Sequence, residues 1–177
     1  ITGFGNQFNL VVGDYAFNER TYVIRTEDND PILDKNLLYG YRVADSEYTD
    51  DRVYGWIGID KEGAETTVYD SEYFVDYALT AAEYIGGYIV AVDADNTLVF
   101  IKPGYWDERT QIAKLGVKIR EMAFDPAGKK LYAYNSTDGC LCTIDIGSGA
   151  VSNIGTYLST VIGMACDDDG VLYGIDD

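Results

Sequence analysis

Apolar and polar residues alternate along most of this chain, in short runs such as Tyr88–Val92, Leu98–Ile101 and Lys130–Tyr134. Gly, Asp and Asn separate the runs. A period of two with turn residues between the runs is the mark of antiparallel hairpins. No window of about 11 residues carries a helical apolar stripe, so the pattern predicts an all-β fold. Pro31, Pro103 and Pro126 all fall between runs, where a missing N–H breaks no ladder.

The runs repeat. Asp14-Tyr15-Ala16-Phe17, Asp76-Tyr77-Ala78-Leu79, Glu121-Met122-Ala123-Phe124 and Gly163-Met164-Ala165-Cys166 share one shape. The later units recur at about 42–45 residues, and the first is longer. A turn and a second strand follow the shared word, as in Lys130–Tyr134 and Val171–Ile175. Third strands are read at Val53–Asp60, Thr97–Lys102 and Leu141–Ile146. Fourth strands are read at Glu65–Tyr69, Thr110–Leu115 and Ala150–Ile154.

Four strands in such a unit make one blade of a β-propeller. A lone four-stranded sheet has two apolar faces, and radial stacking buries each on a neighbour. The small alanine suits the crowded innermost strand. The expectation is therefore a β-propeller or partial propeller of about four four-stranded antiparallel blades, forming a single unit over residues 1–177. Approximate repeats are 14–75, 76–118, 119–159 and 160–177, the last incomplete.

In the first unit, Arg25–Asn36 is the candidate insert, and the acidic stretch Asp45–Asp51 lengthens a later loop. Either Tyr22–Ile24 or Leu37–Tyr41 serves as second strand there. The likeness of Lys35–Tyr41 to Lys129–Tyr134 favours the latter. Residues 1–12 offer one or two further strands. An open arc would leave strand edges bare, so a fragment of a longer propeller, a four-blade closure and a homodimer joined through open blade edges all remain.

Residues 123–134, Ala-Phe-Asp-Pro-Ala-Gly-Lys-Lys-Leu-Tyr-Ala-Tyr, and 141–151, Leu-Cys-Thr-Ile-Asp-Ile-Gly-Ser-Gly-Ala-Val, resemble the bacterial YVTN and quinoprotein-like propeller repeats. Ser148 stands where that family usually has Thr. The resemblance is close over 119–155, fair over 76–116 and 163–177, and loose over 1–75. It implies a fold and no activity, because the shared residues are turns and packing positions.

Composition narrows the function classes. Thirty acidic and 13 basic side chains leave a net charge of −17. That disfavours binding to a nucleic-acid backbone, which needs a clustered positive face. The chain has no histidine, which removes His-based acid–base chemistry, Ser-His-Asp catalysis and His-ligated zinc. No apolar run has the length of a membrane span. The start Ile-Thr-Gly, with no Met and no signal-like region, reads as a mature fragment or an excised domain. Cys140, Cys142 and Cys166 read as buried small hydrophobes, with a disulfide through Cys166 as the lesser alternative.

Candidate ligand groups are few. Asp14, Asp76 and Glu121 open three of the repeats and would converge near a channel mouth, as a cation or ligand site or as solvated carboxylates. Asp93, Asp95, Asp167 and Asp169 offer hard oxygens for calcium, although Asp is also the ordinary hairpin-turn residue. Tyr105 and Trp106 occupy a polar loop and could stack on a sugar, or pack between blades. No nucleophile motif, P-loop or dinucleotide fingerprint is present, so no catalytic residue is assigned. The sequence thus reads as a non-enzymatic binding or interaction module of a bacterial exported or cell-surface protein. Its partner would be a protein or a glycan, it would have no cofactor unless calcium, and it would bind no nucleic acid. The alternative is part of a propeller lyase or glycan hydrolase using carboxylates and Tyr at the channel face.

Overall fold

A computed structural model of the chain describes residues 19–24, 36–45, 52–70, 78–106, 108–155, 158 and 160–176. Side chains are described within these except at 19–24, 42–45, 52–54 and 67–70. Every regular element among the described residues is a strand. Sheet one runs β1 (Glu19–Ile24), β2 (Leu38–Asp45), β3 (Arg52–Ile59), β4 (Glu65–Asp70). Sheet two runs β5 (Leu79–Ile85), β6 (Tyr88–Asp93), β7 (Thr97–Ile101), β8 (Arg109–Lys114). Sheet three runs β9 (Ile119–Asp125), β10 (Lys130–Asn135), β11 (Cys140–Ile144), β12 (Val151–Asn153). The fourth sheet pairs β13 (Val161–Cys166) with β14 (Leu172–Asp176).

Within each sheet, every strand pairs antiparallel with the next in sequence. Contacts between sheets run chiefly through the first strands, β1 on β5, β5 on β9 and β9 on β13, which places those strands innermost. Sequential meanders stacked through their first strands form an arc of a β-propeller. In sheet one, Leu38–Asp45 is the second strand, while Tyr22–Ile24 belongs to the first. Of the proposed inserts Arg25–Asn36 and Asp45–Asp51, all but Asn36 and Asp45 lie outside the described residues, as do residues 1–18.

Two cores hold the arc together. Between sheets one and two, Tyr39, Tyr41 and Trp56 pack on Leu79, Ile89, Val99 and Ile101. Between sheets two and three, Val90, Val92 and Leu98 pack on Ile119, Leu131, Cys142 and Ile144. Most of these side chains are almost wholly buried, each worth about 1.5–3 kcal/mol when apolar. Alternation explains the two-sidedness, since successive β6 side chains point to opposite faces and so serve one core each. Sheet four is less covered: Leu172 is half-buried and Gly174 exposed, whereas their counterparts Leu131 and Ala133 in sheet three are buried.

Pairing registers settle which repeat positions correspond. Ala123 stands opposite Tyr132, and Ala165 stands opposite Tyr173, at the same place in sheets three and four. In sheet two that place belongs to Glu83, opposite Val90, and in sheet one to Ile24, opposite Tyr39. Ala78 therefore is not the counterpart of Ala123; it precedes β5, half-buried. The shared four-residue word misleads because a strand's register is set by the turn that closes it. Gly86-Gly87 closes β5 directly after Ile85, well beyond the word at 76–79. Ala16 lies outside the described residues. A second regularity was not visible in the words: sheets two, three and four share an irregularity of the innermost pairing, at Leu79/Ala81, Tyr134/Asn135 and Val161/Gly163. The local kink re-aims the strand at the same place in each sheet.

Ala123 is fully buried. Ala123→Leu should destabilise the protein by about 1–3 kcal/mol in urea melts, because the added methylenes overpack the inner strand. A cost within error of zero would place Ala123 away from the convergence of the sheets.

Candidate functional site

Four turns, one in each sheet, follow one device. Asp60 Oδ1 accepts hydrogen bonds from the N–H of Glu62 (2.9 Å) and Ala64 (2.8 Å). Asp145 Oδ1 accepts from the N–H and the hydroxyl of Ser148 (2.8 and 2.6 Å). Asp93 Oδ1 accepts from the N–H of Asp95 (3.0 Å) and Thr97 (2.8 Å), and Asp167 Oδ1 from those of Asp169 (3.0 Å) and Val171 (2.8 Å). A carboxylate that caps its own turn satisfies N–H groups that no strand can reach. These bonds hold Asp145 below the usual carboxylate range, chiefly through Ser148, and Asp167 likewise, chiefly through Val171. Tyr173 donates its hydroxyl to Asp167 Oδ2 (3.0 Å), which raises the tyrosine's own pKa.

This accounts for where the four calcium candidates sit. Asp93 and Asp95 share one turn, Asp167 and Asp169 another, and in each pair the first carboxylate receives the N–H of the second residue. Among the described residues no group of three or more His, Cys, Asp or Glu is disposed around a common point for a metal. Of the three carboxylates expected near a channel mouth, Asp14 and Asp76 lie outside the described residues. Glu121 is half-buried on β9 opposite Tyr134, and its register counterparts are Ala81 in sheet two and Gly163 in sheet four.

The three cysteines are buried thiols. Cys142 donates to the carbonyl of Ala133 (3.4 Å). Burial, with smaller contributions from Cys140 and Asp138, pushes its pKa up from 9.0 to about 12. A thiol whose folded pKa is raised stabilises the fold fully below its unfolded value, and that contribution is lost as pH rises through the folded one. Alkaline titration should therefore begin to destabilise the protein near pH 9.0 and continue towards about 12. Cys142→Ala should flatten this limb in pH-dependent thermal melts, and an unchanged limb would assign the alkaline loss to other groups.

Sheet two breaks the turn device at one place. Ile57, Val99 and Cys142 occupy equivalent positions, opposite Gly40, Ala91 and Ala133. Three residues later sheet one has Asp60 and sheet three has Asp145, both capping; sheet two has Lys102. The connection there spans residues 102–108, against 60–64 and 145–150 in its neighbours. It is held by Tyr105 N–H on the carbonyl of Lys102 (2.9 Å) and Glu108 N–H on that of Tyr105 (3.0 Å). Gly104, at φ 87°, provides the backbone reversal.

Trp106 and Tyr105 are divided by this loop. Trp106 is half-buried and turns to sheet one, stacked on Tyr39 at 6.0 Å and tilted against Trp56 at 5.2 Å. Tyr105 is 48% exposed, with the Lys102 ammonium 5.3 Å from its ring centre. Tyr88, 46% exposed, begins β6 one step beyond the Ile89–Ile101 pair, so it flanks Lys102 from the other strand. Its ring leans on Phe100 at 6.1 Å. Two open tyrosine rings thus flank one lysine at the loop end of sheet two. The sequence reading named Tyr105 and missed Tyr88 and Lys102. The signal was present: Ile59-Asp60, Ile101-Lys102 and Ile144-Asp145 are three copies of one position, and only the middle copy lacks the aspartate.

Fold and ledge together define an all-β propeller arc with an aromatic shelf. No protein-family model matches this chain, and no curated protein sequence does. Solved structures do. A Bacteroides thetaiotaomicron protein of unknown function is similar over 87% of this chain and 41% of its own, at 13% identity and TM-score 0.63. An auxiliary nutrient binding protein from Bacteroides ovatus is similar over 89% of this chain and 43% of its own, at 14% identity and TM-score 0.51. This chain thus spans less than half the length of either neighbour.

Proposed function

We propose that this chain is a binding module of an exported or cell-surface bacterial protein, and that its ligand rests on the Tyr88–Lys102–Tyr105 ledge. One observation carries the reading. Where sheets one and three have a turn-capping aspartate, sheet two has a lysine whose ammonium lies over the exposed Tyr105 ring, across the strand pair from exposed Tyr88. Local departures from a structural rule cluster at functional sites. Tyr is suited to such a place, having a large apolar face, a polar tip and few rotatable bonds to order. A fold neighbour described as an auxiliary nutrient binding protein supports the same reading.

The test uses Trp106, which follows Tyr105 in the loop. Its fluorescence should respond when the protein is titrated with a pool of polysaccharide hydrolysates or with a tryptic peptide pool. The response should vanish in the Tyr88→Ala/Tyr105→Ala double variant. Silence towards both pools, or a response that survives the double variant, overturns the assignment of the ledge.

A further inference from the structure

Resting on the ledge as the binding site, we infer that its ligand is a neutral polysaccharide, bound through sugar rings stacked on Tyr88 and Tyr105 with hydroxyls accepting from Lys102. The geometry selects the chemistry in three steps.

The rings come first. Both tyrosines are nearly half exposed, yet each is anchored, Tyr88 against Phe100 and Tyr105 beneath the Lys102 ammonium. Anchored, open aromatic faces suit the C–H face of a pyranose, which is flat, weakly apolar and edged by hydroxyls. They need no deep pocket, so a polymer can lie across them with both ends free.

The lysine comes second. Its ammonium has three donors and no acceptor, and ring oxygens and hydroxyls are acceptors. It lies against the Tyr105 ring and, by strand register, across from Tyr88, close enough to donate to the oxygens of a sugar held on this ledge.

Charge decides the third step. One lysine would serve a carboxylate as well as a hydroxyl, but the chain carries −17. Such a field repels polyanions at long range, against polyuronates and nucleic acid alike. A neutral chain incurs no such cost. The ledge is specific to sheet two: its counterparts of Tyr88 and Lys102 are Leu37 and Asp60 in sheet one, and Lys130 and Asp145 in sheet three.

The experiment is native electrophoresis of the intact chain through gels cast with a soluble β-glucan, a galactomannan, a mannan or polygalacturonate. At least one neutral gel should retard the protein, and polygalacturonate should not. Tyr88→Ala and Tyr105→Ala should each weaken retention about tenfold or more, as loss of an aromatic anchor does. Tyr173→Ala, an exposed tyrosine on sheet four, should leave it unchanged. Lys102→Asp is the decisive variant: it installs the aspartate of the neighbouring sheets, so retention should fall while the urea midpoint holds. A wild type that passes all neutral gels freely overturns the glycan class, as does retention that survives both tyrosine variants. If the peptide pool, and not the hydrolysate pool, moves Trp106 fluorescence, the binding module stands and the glycan falls. Silence towards both pools removes the two together.

Discussion

Trp56→Ala is expected to cost about 3–5 kcal/mol, the upper range for truncating a large core side chain. Trp56 is 1% exposed on β3. Its ring meets Tyr41 edge-on at 4.9 Å and Trp106 at 5.2 Å. Removing it opens a cavity in the wall between sheets one and two and strips two aromatic partners from their contact. Collapse cannot refill the space, because strand positions on both sides are fixed by paired ladders. Urea unfolding measures the cost. Trp56→Phe should recover part of it, and a cost below about 1 kcal/mol would mean that the two sheets do not close on this ring. Because Trp106 leans on Trp56, the truncation should also loosen the loop that carries Tyr105.

The second large effect is expected at Gly149. This residue closes the β11–β12 turn at φ 71°, a backbone region in which L side chains are strained. It is also where sheet three touches sheet two. A Cβ at Gly149 would fall inside the van der Waals radius of the Ala113 Cβ on β8, with Leu115 Cδ2 at 3.4 Å. Gly149→Ala combines left-handed strain with overpacking and should destabilise by about 2–5 kcal/mol. The two parts separate in a double-mutant cycle. Ala113→Gly should relieve the steric part and leave the backbone part, so the double variant should be less destabilised than the sum of the single ones. Strict additivity would show that the sheets do not approach each other at this point.

Much of the fold was legible because the turns announce it. Third and fourth strands were read within a residue or two of β3, β4, β7, β8, β11 and β12, since Asp and Gly bound each run and alternation fills it. The innermost strands were read less well. Ala123 and Ala165 correspond, but Ala78 does not, and a shared four-residue word stood in for a register that only the closing turn defines. The site was half legible. Tyr105 is an aromatic in a polar loop, which sequence reveals. Tyr88 looks like any strand residue until it is known that its ring is left uncovered, and Lys102 gains meaning only when set beside Asp60 and Asp145. Exposure and equivalence between copies are properties of the assembled sheets. The acidic turns were weighed as calcium ligands against ordinary turn chemistry, and Asp60, Asp93, Asp145 and Asp167 each accept N–H bonds from their own turn.

The replacement of a capping aspartate by Lys102 has a consequence for how such a chain can change over generations. A domain with one copy of a turn must keep it. A domain with several can let one drift, because a missing cap costs on the order of 1 kcal/mol and the remaining copies still hold the arrangement. Duplication thus supplies spare positions before any ligand exists to use them. In this molecule the copy without the aspartate is the middle one of the three compared, in a sheet packed on both faces. A sheet held on both faces can lose one turn cap with little disturbance to its strands.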